Sequence, residues 1–249
     1  MIVRKSAAEL ETMREAGRIS ARALRVVGEA VAAGVSTAEL DELAEAAIRD
    51  SGAVPAFKGY HGFPATLCTS RNQQVVHGIP SIAVVLRDGD ILSVDVGAVF
   101  EGYYGDNAAT FAVGTVSAQA RLLLATTAAS LEAGIAQCFP GNRLFDIGAA
   151  GQGVAEAQGF GVVREYVGHG IGRSMHEDPN VPNYGVANTG PRLEVGMVLA
   201  IEPMINAGGH QVDALPDGWT VVTRDSALSA HFEHTVAVTS DGPLVLTRE

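Results

Sequence analysis

Two ten-residue stretches decide the fold: Leu86-Arg-Asp-Gly89-Asp-Ile91-Leu92-Ser-Val94-Asp95 and Leu193-Glu-Val-Gly196-Met-Val198-Leu199-Ala-Ile201-Glu202. They lie 107 residues apart and agree at the leucine, the glycine, the apolar positions and the closing acidic residue. The same shift sets Gly34 on Gly141, Leu40 on Ile147 and Gly52 on Gly159. Each half then reads as a long helix, a loop, a shorter helix ending near glycine, and strands. Self-similarity of this kind predicts a duplicated fold, with Asp95 and Glu202 at equivalent strand positions facing a common centre.

The flanking segments agree. Residues 6–33 place apolar residues at helical spacing behind a Ser6…Glu9 capping box. Residues 36–51 predict a second helix, opened by Ser36 and Thr37 and closed by Gly52. The second half predicts helices over 117–137 and 142–158. Strands are predicted over 65–70, 82–86, 91–96, 103–113, 162–168, 197–202, 219–223 and 231–239. Helix pairs alternating with mainly antiparallel strands define an α+β fold. No Pro/Gly/Ser-rich linker divides the chain, so residues 1–249 are expected to form one domain, with halves of approximately 6–113 and 114–249.

Composition narrows the class further. Of 249 residues, 47% are apolar and 18% charged, enough to bury a sizeable core and to exclude disorder. A net charge of −11 disfavours a duplex nucleic-acid binder, which needs a basic face. Cys68 and Cys138 are far apart and outside any CxxC pattern, against a disulfide scaffold or a thiolate zinc site. The N-terminus lacks an apolar signal core, and no apolar run approaches the ~20 residues needed to span a bilayer. The expectation is a soluble, cytoplasmic chain with no membrane attachment.

The chemistry resides in acidic residues set among apolar strands. Asp95 ends one strand and Asp106 lies in the next, beyond a Phe100-Glu101-Gly102 turn, which puts both on one face. Carboxylates so close repel unless they share a proton or a cation. Glu202 interrupts Val198-Leu-Ala-Ile201 just before Pro203, and Glu233 sits in the β pattern that starts at His231. His169 lies in Val167-Gly-His-Gly-Ile-Gly172. Singly, these read as rim aspartates and a hydrogen-bonded loop histidine. Together, four carboxylates and one imidazole suit two hard-to-borderline divalent cations, whose charge would balance theirs. The residues alone leave both readings open. Gly168-His-Gly-Ile-Gly172 is no dinucleotide loop, because Pro179 and Pro182 follow where a helix would have to open. The pairs Ser174/His176 and Cys68/His77 match no nucleophile signature.

These pieces in order resemble the type I methionine aminopeptidases of the pita-bread fold, over nearly the whole chain. The segments that carry the resemblance are Gly59-Tyr-His-Gly-Phe-Pro64, Val76-His-Gly-Ile-Pro80, Ser93-Val-Asp-Val-Gly97, Gly102-Tyr-Tyr-Gly-Asp106, Tyr166-Val-Gly-His-Gly-Ile-Gly-Arg173, His176-Glu-Asp-Pro179, Ile201-Glu-Pro203 and Phe232-Glu-His-Thr235. The resemblance implies two divalent cations, such as Co, Mn or Fe. Asp95 would hold one, His169 and Glu202 the other, and Asp106 and Glu233 would bridge both. It further implies a metal-bridged water as nucleophile, Glu202 as proton shuttle, His77 near the scissile nitrogen and His176 at the developing oxyanion. A pocket of Tyr60, Phe63, Cys68, Met175 and Trp219 would take the methionine side chain. The implied substrate is the N-terminal methionine of nascent polypeptides with a small second residue. The implied enzyme is a cytoplasmic monomer, with the ribosome as a candidate partner. Three residues depart from the family pattern: Met175 stands where phenylalanine is more usual, Asn107 for a small hydroxyl residue, and His231 for glutamine. Prolidases and aminopeptidase P share the ligand pattern but carry an N-terminal domain, which is not expected before residue 6. Non-catalytic pita-bread proteins usually lose ligands, and all five residues are present here.

Overall fold

Serine-led capping boxes start both helices of the first half. The Ser6 hydroxyl accepts the Glu9 N–H, and the Glu9 carboxylate accepts the Ser6 N–H, opening α1 (Ala7–Ala30). Ser36 and Glu39 repeat the device for α2 (Thr37–Asp50). The second half supplies α3 (Ala118–Ile135) and α4 (Leu144–Ala157). The computed structural model describes residues 1–249. None of its helices is long and apolar enough to cross a membrane.

Fifteen strands complete the chain. The first half holds β1 (Val54–Pro55), β2 (Leu67–Arg71), β3 (Gln74–Val76), β4 (Ile91–Phe100) and β5 (Tyr103–Ala112). The second holds β6 (Gly161–Val162), β7 (Gly168–Gly170), β8 (Glu177–Val181), β9 (Val198–Ile201), β10 (Met204–Asn206), β11 (Val212–Ala214), β12 (Val221–Thr223), β13 (Ser229–His231), β14 (Glu233–Thr239) and β15 (Gly242–Val245). The main antiparallel sheet runs β1-β4-β5-β14-β9-β7-β8, with β2 beside β4 and β15 beside β14. The β4–β5 turn places Glu101 (φ 48°) and Gly102 (φ 79°) in the left-handed region, the primed geometry that matches strand twist. Two small sheets, β6-β10-β13 and β3-β12-β11, flank the main one.

Three predicted strands differ in the structure. Residues 82–86 form a loop, because their backbone groups bond to the α1–α2 connection: Gly34 N–H donates to Leu86 O, and Thr37 N–H to Val84 O. The 231–239 run breaks at Phe232, whose N–H turns to Pro203 O. The 162–168 run breaks after β6, where Val163 N–H donates to Met204 O.

The same bonds recur 107 residues apart. Gly34 N–H to Leu86 O and Gly141 N–H to Leu193 O are both 2.9 Å. Single bridges join Ser36 to Val85 and Arg143 to Arg192. Gly34 and Gly141 have φ of 94° and 95°, Gly89 and Gly196 93° and 92°. Each half packs its helix pair on its own strands: Ile19, Val27, Leu40 and Ile48 over Leu92 and Val94, and Leu131 and Ile147 over Leu199, Ile201 and Val236.

The halves join at β5–β14, where the backbone ladder covers only Glu233↔Ala108 and His234↔Asn107. A threonine clamps the seam on each side. Thr235 Oγ1 accepts Asp106 N–H (3.1 Å) and donates to Asp106 O (2.8 Å). Thr110 Oγ1 accepts His231 N–H (2.9 Å) and donates to His231 O (2.8 Å). The two clamps are related by a pseudo-two-fold axis that passes between residues 108 and 233, so Asp106 and His231 hold equivalent places.

Backbone contact fixes α1 on this sheet. A Cβ at Gly105 would lie 2.5 Å from Gly17 N and 2.6 Å from Ala16 C. Gly105→Ala should therefore push α1 off β5 and destabilise the protein by roughly 1–3 kcal/mol, as overpacking against rigid backbone does. A urea midpoint unchanged from the parent protein would refute the contact.

Candidate active site

Cross-strand pairing gathers the acidic residues into rows on one sheet face. The first row runs Asp95, Ala108, Glu233 across β4, β5 and β14. Glu202 continues it, one residue beyond the His234↔Ile201 pair. Two residues along each strand, the next row holds Gly97, Asp106, Thr235, Ala200 and His169. Small residues separate the acidic ones and leave space between them. The expected set of Asp95, Asp106, His169, Glu202 and Glu233 thus lines one cavity of about 230 Å³. Ligand atoms of Asp106, His169 and Glu233 lie within 4.8 Å of one another. His169 Nε2 is 3.6 Å from Glu202 Oε1 and 3.8 Å from Asp106 Oδ2.

Buried carboxyl groups this close cannot all ionise. Burial pushes Asp95, Glu202 and Glu233 well above the ordinary carboxyl range, and the neighbouring carboxylates push them further. Burial raises Asp106 to about 7. Asp95 Oδ1 and Glu233 Oε1 are buried without a hydrogen-bond partner. His169 is prepared in the opposite sense: Nδ1 donates to Gly170 O at 2.9 Å, leaving the Nε2 lone pair free, and burial holds its pKa at about 4. Orphaned oxygens, neutral imidazole and small spacers all fit a cation-binding centre.

The expected histidines border the same cavity. His77 stands at φ 59°, a strained conformation for a non-glycine residue, beside Gly78, whose N–H donates to Ser70 Oγ. Burial lowers it to about 4, so its imidazole is neutral. His176 packs 4.3 Å from the His169 ring, and its Nδ1 meets Tyr60 Oη at 2.7 Å. The loop carrying Met175 and His176 is held by Glu177, whose Oε1 accepts the Arg173 and Ser174 N–H groups while Oε2 pairs with buried Lys5.

The expected apolar wall is present too. Tyr60, Phe63, Cys68, Met175 and Trp219 line the cavity, with Phe63 and Trp219 edge to face at 5.1 Å. Phe57 and His61 also line it, outside the set that the sequence points to. Their signal was proximity to the Gly59–Gly62 turn, where His61 has φ 47°. Of the departures, Asn107 points away from this face, beside His234, into a groove bounded by α1. His231 is 1% exposed and its Nε2 is 3.6 Å from Glu202 Oε2.

A duplicated antiparallel sheet with a buried carboxylate–imidazole centre beside an apolar pocket defines a metal-dependent hydrolase. The Metallopeptidase family M24 model matches residues 11–240, and the chain belongs to that family. It is 52% identical to the methionine aminopeptidase of Clostridium acetobutylicum, with 99% of both chains covered. It is also 52% identical to methionine aminopeptidase 1 of Bacillus subtilis, over the whole of both. The methionine aminopeptidase structure from Thermotoga maritima superposes with a TM-score of 0.99 at 44% identity, covering 100% of each chain. The prolidase from Pyrococcus furiosus shares the pita-bread fold (TM-score 0.78, 23% identity), and this chain covers 66% of it.

The carboxyl shifts set a pH dependence. A carboxyl whose pKa is higher folded than unfolded favours the folded state at low pH, and that contribution is lost as pH rises through the folded value, here about 7 for Asp106. A divalent cation reverses the penalty by displacing the protons. Mn²⁺ binding to chelator-stripped protein should therefore release protons and tighten as pH rises from ~6 to ~8. His169, already neutral, contributes nothing in that window. Calorimetry in two buffers of different ionisation enthalpy measures the release, and proton-neutral binding would contradict it.

Proposed function

We propose that this chain is a methionyl aminopeptidase with two divalent cations, removing the first residue from peptides and nascent proteins whose second residue is small. The observation that carries the reading is the convergence of Asp95, Asp106, His169, Glu202 and Glu233 on one cavity walled by Tyr60, Phe63, Cys68, Met175 and Trp219. Asp95, Asp106, His169, Glu202 and Glu233 would hold the two cations between them. Such a pair would lower the pKa of a bound water enough to give hydroxide near neutral pH and would polarise the scissile carbonyl. Cobalt, manganese and iron all suit this donor set.

The protein groups divide the remaining work. Glu202 accepts the proton of the attacking water and delivers it to the leaving amine. With the Tyr60 hydroxyl donating to Nδ1, His176 carries its proton on Nε2 and presents it to the developing oxyanion. Neutral His77 faces the leaving nitrogen, and the apolar wall receives the methionine side chain. We further read residues 1–249 as one catalytic domain of two related halves, 6–113 and 114–249, a reading supported by the bonds that recur at a spacing of 107 residues. It is read as a cytoplasmic monomer that meets its substrates as they leave the ribosome.

Glu202→Ala and Asp106→Ala should each lower kcat for Met-Ala-Ser by at least ~10²-fold, with Ala-Pro a poor substrate throughout. Chelation should abolish activity reversibly, and full activity after thorough chelation would overturn the assignment.

Met175 sets a second expectation. A thioether adapts where a phenyl ring holds a fixed wall, and Met175 Cε lies 3.2 Å from where a Cβ on Gly97 would stand. Norleucyl-Ala-Ser relative to Met-Ala-Ser should be cleaved better by the parent protein than by Met175→Phe. The difference should correspond to about 1–3 kcal/mol or less. Equal kcat/KM ratios would remove residue 175 from the specificity wall.

A further inference from the structure

His231 enters no step above, yet the structure buries it at the centre. Its imidazole is 1% exposed, and Nε2 has no hydrogen-bond partner. Two other orphaned atoms in the same centre, Asp95 Oδ1 and Glu233 Oε1, belong to proposed ligands. A buried polar atom without a partner costs free energy and calls for a physical account.

Position supplies that account. The Thr110 clamp holds the His231 backbone as the Thr235 clamp holds that of Asp106, so His231 is the pseudo-two-fold counterpart of Asp106, a proposed ligand. His231 ends β13, two residues before Glu233 and across the break at Phe232. Glu202 lies between two imidazoles: Oε1 faces His169 Nε2 and Oε2 faces His231 Nε2, each at 3.6 Å. His169 Nε2 also approaches Asp106 Oδ2, whereas His231 Nε2 approaches the Glu202 oxygen that His169 does not.

We infer that His231 is a positioning residue: its Nε2–H donates to Glu202 Oε2 and so leaves Oε1 turned toward His169. The inference rests on the metal-centre reading above. A donor on one carboxylate oxygen fixes which oxygen ligates and holds the carboxylate plane, and losing such an outer partner costs about 10–100-fold in metal affinity or activity. Glutamine offers an amide N–H at similar reach. Leucine offers none, and asparagine is one methylene too short.

The test is Mn²⁺ titration by calorimetry of the stripped full-length protein and of His231→Gln, His231→Leu and His231→Asn, with thermal unfolding to establish that each folds. Binding by the parent protein tests the metal-centre reading separately. Given that binding, His231→Leu and His231→Asn should bind the ion that Glu202 ligates about 10–100-fold more weakly. His231→Gln should stay within a few-fold of the parent. If His231→Leu does not fold, the glutamine–asparagine contrast decides alone. Parent-like affinity in the folded leucine or asparagine variant would overturn the inference. So would a loss in His231→Gln as large as in His231→Asn, since that would make the imidazole itself a ligand.

Discussion

The centre depends on a seam that backbone pairing alone hardly closes. Between β5 and β14 only two residue pairs join the ladder, and beyond them the strands are held by threonine hydroxyls that each accept from and donate to one opposing residue. A hydroxyl can play both parts at once, which suits it to replace a ladder rung where the strands diverge. The acidic residues converge on the sheet face along this seam. A seam without clamps would leave Asp106 and His231 with unpaired buried peptide groups.

Around that face the electrostatics are arranged against the metal-free protein. Carboxyl groups that are driven up by burial and by one another, beside imidazoles driven down, form a centre that lacks positive charge of its own. Lys5 is buried nearby, but its ammonium is committed to Glu177. No arginine or lysine lines the cavity. The counter-charge must come from outside the chain, and the packing that positions the site also tunes its affinity for cations.

Much of this was legible in the sequence, for identifiable reasons. The duplication showed because glycines with forced φ, such as Gly34 and Gly141, resist substitution by residues that cannot adopt a left-handed backbone. The acidic set showed because carboxylates inside apolar strands are costly without a partner. Residues 82–86 misled because β-branched content records suitability for a strand, not the presence of one to pair with. His231 stood out only as a departure from a family pattern, since its role depends on a strand register that only the fold reveals. Phe57 entered the cavity through the strained Gly59–Gly62 turn, whose path is not written in any local periodicity.

The pseudo-two-fold axis passes between Ala108 and Glu233, which are paired across the seam. An isologous dimer of one half would place the same residue on both sides of that axis: two alanines or two glutamates. Two alanines would come with two copies of Asp106, and two glutamates with two copies of His231, because Asp106 and His231 are counterparts as well. Either dimer would keep four carboxylates, but only in two-fold related places. A single covalent chain escapes that constraint. It takes Asp106 from one half and Glu233 from the other, with a histidine and an alanine at the places opposite. Joining the halves therefore did more than fix their orientation; it made a lopsided site accessible to a nearly symmetric scaffold.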